Sequence, residues 1–448
     1  MLTNSVRGIC LLIFLLMLAA GCSQGGGGDG SLNSNPASSA PKNSSNSPDS
    51  ETSQLEVPPE PAEVNIYFSY NMQFEEIGLK EAVEKQFPHY TLNLIVRGEG
   101  LQYEDVIISQ TPIDLVYEST AFTVARIQHY GLDQDLQHWI DKYDFDLSVF
   151  EPNILAHSYA SNSEGVLYGL PFSLNRYGLF YNQDIFDMFA VSYPEDGMTW
   201  DEAYDLARNL TRLHEGEQYI GFTVHPNNIM LNNQLSLGPL DLKENKAAVN
   251  TDQWKMLYEN VGRFFKLSDA GIVPTSEAGN GRLAMVLDPV GFSGNPESAI
   301  NWDVVSVPML KERPNTGLKP ASLSFFLSKI SQNKDAAFQV MAYLVSEEIQ
   351  TMMTRQRAQG TPLVSTAVKE SFGQDLPQWQ GKNVGALYYF PDAPPQEPRD
   401  PGLVDVSVDF SAPMREYVLE GKDINTVLRE FEEKINQDIA VKMAEMAD

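Results

Sequence analysis

Residues 165–211 read GVLYGLPFSLNRYGLFYNQDIFDMFAVSYPEDGMTWDEAYDLARNLT, and the order of pieces in this stretch decides the fold. Residues 166–172 are a short apolar run broken by Gly169 and Pro171, and 177–181 are a second, strand-like run. A short helical turn follows over 184–189. Pro194, Glu195, Asp196 and Gly197 then form a turn cluster. Thr199 is a good N-cap residue, and Glu202 stands three positions on, so TWDE predicts a capping box that opens a helix. Trp200, Ala203, Tyr204, Ala207 and Leu210 recur at helical spacing and give that helix one apolar face.

Four motifs in this order carry a family resemblance: Tyr168 to Pro171 (YGLP), Leu179 to Asp184 (LFYNQD), the Tyr193-Pro194 turn and Thr199 to Glu202. They resemble the extracellular solute-binding proteins that serve ABC importers, in their maltose-binding-like, carbohydrate-type branch. The resemblance extends to 281–292 (GRLAMVLDPVGF), to DVVSVP at 303–308, to the Gly360-Thr361-Pro362 turn and to the C-terminal helix around 427–439. It implies an α/β, two-lobed periplasmic-binding-protein-like fold (type II) with hinge crossings between lobes. It implies no enzyme activity, no cofactor and no metal. The partners implied are a solute of the sugar class and the permease subunits, with the receptor acting as a monomer.

Outward from this stretch, the N-terminus is not part of a fold. Arg7 and the apolar run 9–20 precede Leu18-Ala19-Ala20-Gly21-Cys22, a pattern of secretory signals that predicts a signal peptide over 1–21. The small residues before Cys22 resemble the lipobox of bacterial lipoproteins, which implies lipidation of Cys22 and an anchor on the extracytoplasmic face of the cell membrane. Cys10 leaves with the signal, so the mature chain has no cysteine pair. Residues 22–62, rich in Gly, Ser, Asn and Pro, bury too little apolar surface to fold and read as a tether. About 40 such residues reach roughly 35 Å.

The rest is too long for one core and suggests two domains. The boundaries expected are 63–172 with 289–325 for the first lobe and 173–288 with 326–448 for the second. A formal net charge of −29 argues against nucleic acid, which needs a basic footprint. Val64, Ile66 and Phe68 alternate with polar neighbours in a first strand; 92–96 and 113–117 supply two more, with a helix over 74–87 between. Strand–helix alternation predicts a parallel sheet, and ligands sit beyond the carboxyl ends of such strands. Tyr70, Asn71, Glu118 and Ser119 are therefore candidate cleft residues.

By resemblance the chain first crosses between lobes at 172–176, with Asn175 and Arg176 exposed to the cleft, and Asn175 stands where maltose binders place an acidic ligand contact. The second and third crossings are expected at 281–292 and 323–330. His225 follows a strand at 220–224. Sugar sites pair aromatic faces with hydroxyl-bonding polar groups. The aromatic candidates are Tyr70, Tyr177, Phe292, Trp379 and Tyr389; the polar ones are Glu118, Asn175, Arg176, His225 and Asp288. Trp254, Leu257, Tyr258, Val261 and Phe265 fall at helical spacing and read as core. The sequence shows no zinc motif, no Gly-x-Ser-x-Gly and no phosphate-binding glycine loop. An exported glycosidase or lyase, and a tethered sensor that signals to a membrane kinase, are the other classes open to such a chain.

Overall fold

The computed structural model describes residues 60–70, 72–162, 164–294, 299–400 and 402–447. The signal peptide, Cys22, nearly all of the tether and Asn71 lie outside them. Among the described residues eleven strands run β1 (Ala62–Phe68), β2 (Tyr90–Val96), β3 (Leu115–Ser119), β4 (Gly169–Asn175), β5 (Gly178–Asn182), β6 (Arg212–His214), β7 (Glu217–Tyr219), β8 (Thr223–Val224), β9 (Met285–Asp288), β10 (Trp302–Val305) and β11 (Ala321–Leu327).

The first lobe is built on a five-stranded sheet of order β2-β1-β3-β11-β4. β1 pairs in parallel with β2 and β3, whereas β11 runs antiparallel to both β3 and β4. Side chains alternate between faces of a strand. Val64, Ile66 and Phe68 accordingly pack with Leu92, Tyr117, Phe172 and Phe325 against the helices Leu79–Gln86 and Lys334–Leu344. Tyr67, Val116 and Phe326 point the other way, onto Tyr103, Val106 and Ile127. The sheet is thus buried on both faces, as strands covered by helices are.

The second lobe has a four-stranded sheet of order β10-β5-β9-β8, and β6 and β7 form a separate hairpin. Leu179, Tyr181, Met285 and Leu287 pack against the helices Trp200–Leu210, Asp252–Phe265 and Ile424–Ala447. Phe180, Val286 and Val304 face Trp302, Phe372 and Trp379. The five aromatic and aliphatic residues singled out between Trp254 and Phe265 are all buried. The capping box forms as its sequence predicts. Thr199 Oγ1 accepts the Glu202 backbone N–H at 3.3 Å, and the Glu202 carboxylate accepts the Thr199 N–H at 2.7 Å. The helix expected over 74–87 begins later, at Leu79, because Gly78 adopts a left-handed φ of 80° and breaks the run.

The chain passes between the sheets three times. The first passage is short. β4 ends at Asn175 in the first sheet and β5 starts at Gly178 in the second, so Arg176 and Tyr177 cross alone. The second passage, 306–320, leads from β10 to β11. The third follows Leu363, which belongs to the first core, and precedes Phe372, which belongs to the second. The expected second and third crossings are corrected. Residues 285–288 are an interior strand of the second sheet, and 323–327 lie in the middle of the first. The lobe boundaries shift with them: 302–305 joins the second lobe, and 321–363 the first. The reason is pairing. Phe325 and Leu327 bury between β3 and β4, partners about 150–200 residues away in sequence, and no local pattern records such a choice.

Candidate interlobe binding site

At the end of β3, Leu115 and Tyr117 face one core, and Val116 and Glu118 face the other side. Glu118 is consequently fully buried, and the expectation that it meets solute is corrected. Its carboxylate accepts a 2.6 Å bond from the Arg126 guanidinium and a 3.2 Å bond from the Tyr103 hydroxyl, which also sits 2.9 Å from Ser69 Oγ. Burial raises the Tyr103 phenol well above its ordinary pKa, and the nearby Glu118 charge adds to this. Tyr70, just past β1, is 47% exposed; partial burial first, and Glu118 second, raise its phenol pKa. Ser119 is half-buried at the last position of β3, opposite Leu323. The first lobe therefore offers Tyr70 and the partly exposed Arg126, with Glu118 beneath them as the anchor.

At the first passage, Asn175 is exposed, as expected. Arg176 is not: its side chain is 8% exposed. It donates to the Asp392 carboxylate at 2.7 Å, and its guanidinium lies 4.8 Å from the centroid of the Tyr388 ring. Gly360 packs on its stem, and a Cβ there would come within 2.5 Å of Arg176 Cγ. Arg176 is thus a buried brace of the crossing. Tyr177 is partly buried, and its phenol is pushed up to about 12, first by burial and then by Asp288.

On the second lobe, Asp288 ends β9 opposite Gly178 and accepts the backbone N–H groups of Val290 and Gly291 at 2.9 and 3.1 Å. His225 is exposed, directly before the helix Pro226–Leu231. Two aromatic candidates are corrected. Phe292 and Trp379 are 3% and 4% exposed and pack with Phe180 and Trp302 as core. Tyr389 is 52% exposed, but it leans on the Gly197 turn.

Asn175, Tyr177, Ser306, Lys319, Leu387 and Asp392 line a cavity of about 30 Å³ where the first two passages meet. This is room for roughly two waters. Residues 390–396 lie across the same place. In the first lobe, Asn153 Nδ2 donates to the Asp392 carbonyl at 2.6 Å, and His157 Nε2 lies 2.9 Å from the Ala393 carbonyl. On the other side, the Gly317 N–H donates to the Pro391 carbonyl at 2.8 Å, the Ala393 N–H donates to the Leu318 carbonyl at 3.1 Å, and Ser236 donates to the Pro394 carbonyl. Burial lowers the pKa of both His157 and Lys319. Sequence reasoning missed Arg126, His157, Lys319 and Asp392. Each is an ordinary polar residue whose neighbours in space come from distant segments.

Two lobes on separate sheets, three passages between them and strand-end polar groups at their junction define a hinged binding protein that closes on a small molecule. The chain belongs to the bacterial extracellular solute-binding protein family, whose model matches residues 73–351; it is a solute receptor and not an enzyme. The lactose-binding protein of Rhizobium radiobacter is 22% identical over 335 residues, covering 68% of this chain and 76% of that one. An ABC substrate-binding protein from Listeria monocytogenes, solved in complex with cycloalternan, superposes with a TM-score of 0.64 at 18% identity over 85% of this chain and 100% of that one. The cyclic α-maltosyl-1,6-maltose binding protein of Arthrobacter globiformis gives 0.65 at 13% identity, over 85% and 99%. Among the described residues no cluster of His, Cys, Asp and Glu could hold a metal, and no helix is long and apolar enough to cross a membrane.

Proposed function

We propose that the protein captures a sugar or oligosaccharide between its lobes and hands it to the permease of an ABC importer. The observation that carries this reading is the relative named for lactose binding, which aligns over two thirds of this chain. The solved neighbours named for or holding saccharides support it. Tyr70, Asn175, Tyr177 and Asp288, at the strand ends and the first passage, are the contacts proposed; Arg126 joins them from the structure. Cys22 carries the lipid anchor, so the receptor stands outside the cell membrane on its tether. The test is thermal melting of the protein against a panel of mono- and oligosaccharides. A cognate sugar at 100 times its Kd stabilises by about 2.7 kcal/mol. A panel that leaves the melting temperature unmoved refutes sugar capture. Labelled fatty acid incorporated by the wild type and lost in Cys22→Ala tests the anchor.

A further inference from the structure

The end of β3 places a carboxylate under the first-lobe wall, where an apolar side chain would pack as well. Val116 and Glu118 share one face of the strand, and Val116 is ordinary core. Glu118 is fully buried. A buried ion persists only where partners meet it. Arg126 Nη1 donates to Glu118 Oε2 at 2.6 Å, the Tyr103 hydroxyl donates to the same oxygen at 3.2 Å, and the Ser119 backbone N–H donates to Oε1 at 3.3 Å. Stability alone accounts poorly for such a pair, since apolar side chains of like volume often serve a fold equally well or better.

The pair does something more specific to Arg126. This residue stands in the helix Thr120–His129 and reaches back to the strand end. Its guanidinium lies 5.6 Å from the centroid of the Tyr103 ring. Tyr103 in turn stacks on Tyr130, with centroids 5.4 Å apart and planes 2° from parallel, and the Tyr130 hydroxyl donates to the Glu104 carboxylate. Ring face and carboxylate thus fix the guanidinium from two directions. A guanidinium carries five N–H donors. Among the described residues, the bond to Glu118 is the one that Arg126 makes with its side chain, and that side chain is 35% exposed. The other donors are held in place beside the carboxyl end of β3, next to exposed Tyr70, which follows β1. A fork fixed in advance loses little side-chain freedom when it meets an acceptor.

We infer that Glu118 is a positioning residue for solute capture: its buried carboxylate sets the Arg126 guanidinium so that the unspent N–H donors meet hydroxyl or ring oxygens of a sugar lying beside Tyr70. The inference rests on the reading of the protein as a sugar receptor and assigns the first-lobe half of its site. Glu118 touches no solute and acts through Arg126.

The experiment is titration calorimetry on wild type, Glu118→Gln, Arg126→Lys, Arg126→Met and the double variant Glu118→Gln/Arg126→Met. The probes are the saccharides of the melting panel, lactose, maltose, maltotriose and cycloalternan among them. Arg126→Met should weaken the tightest-binding probe by about tenfold to a hundredfold, the loss of a charge-assisted bond. Glu118→Gln keeps the size and an acceptor but not the charge, and should weaken it by about threefold to tenfold. In the Arg126→Met background the same change should move affinity by less than about twofold, because no guanidinium is left to position. Arg126→Lys keeps the charge that meets Glu118 and should melt near wild type, yet bind as weakly as Arg126→Met, because the fork is gone. Arg126→Lys decides alone if Arg126→Met melts too low to titrate. An equal loss on Glu118→Gln in both backgrounds makes Glu118 merely structural and overturns the assignment; so does Arg126→Lys that binds like wild type. Either result leaves sugar capture standing. Failure of every saccharide in the panel to bind overturns both.

Discussion

Replacing Arg176 by methionine separates a brace from a ligand contact. The variant keeps most of the aliphatic stem against Gly360 and removes the guanidinium that meets Asp392 at 2.7 Å and the Tyr388 ring at 4.8 Å. Both partners of the ion pair are nearly buried, at 8% and 12% exposure. Removing one member of such a pair leaves the other as an uncompensated charge and costs about 3–5 kcal/mol. At ~2.1 cal/mol/K of unfolding entropy per residue, that is a fall in Tm of about 4–6 °C for a body of this size. Asp392→Asn alone should also destabilise. Arg176→Met combined with Asp392→Asn should recover much of the loss, because no charge is then left without a partner. Calorimetric melting of the four proteins completes the cycle. A single variant that melts like wild type yet binds sugar weakly would refute the brace and restore Arg176 to the site.

Three further outcomes are expected. Thr199→Ala removes the hydroxyl that accepts the Glu202 N–H, while the bond from the backbone N–H of residue 199 to the Glu202 carboxylate can remain, and should cost about 1 kcal/mol in denaturant unfolding with sugar affinity unchanged; normal stability with altered affinity would contradict the cap. His157 is held below its ordinary pKa by burial, so above pH 6.5 it is neutral both folded and unfolded and contributes no pH dependence. As pH falls through 6.5 the unfolded chain takes up the proton first, and stability declines until the folded-state pKa is passed. His157→Gln, which keeps a donor for the Ala393 carbonyl, should lose less Tm than wild type between pH 7.5 and 5.5; an equal loss in both would place the effect elsewhere. Asn175→Ala should weaken the cognate sugar by roughly five-fold to more than a hundred-fold, the cost of an unmet hydrogen bond. The unliganded Tm should stay put, since the residue is exposed; a lower Tm with normal affinity would make Asn175 structural.

The fold was legible where its cause is local. The capping box at Thr199, the alternation in β1 and the apolar face of the helix Asp252–Phe265 follow from spacing over a few residues, whereas the passage next to Asn175 was expected from the family resemblance. The later crossings were not legible. ASLSFFL reads equally well as a crossing or as a sheet interior, and only Phe172, Tyr117 and the neighbouring strands decide that it is the latter. The site divides in the same way. Tyr70 is a candidate from its place past a strand end and Asn175 from the family resemblance, and both are solvent-accessible. Arg176, Glu118, Phe292 and Trp379 are residue types that sugar sites favour, but burial assigns them to bracing and packing. Arg126 and Lys319 carry no signal of their own. Arg126 gains its meaning from the buried Glu118 carboxylate, which it meets at 2.6 Å.

The position of β11 sets an order of assembly. It fills the slot between β3 and β4, strands that end at Ser119 and Asn175, yet it is made only at Ala321–Leu327. A chain emerging N-terminus first therefore presents β3 and β4 with unpaired edges while more than a hundred further residues follow. The second sheet closes sooner, because β5, β8, β9 and β10 all lie between Gly178 and Val305. The first sheet is thus the later of the two sheets to be completed, although helices that cover the second lobe follow it in the chain. Until that strand arrives, the chain stays incompletely folded, the state in which a polypeptide can still be threaded through a narrow pore.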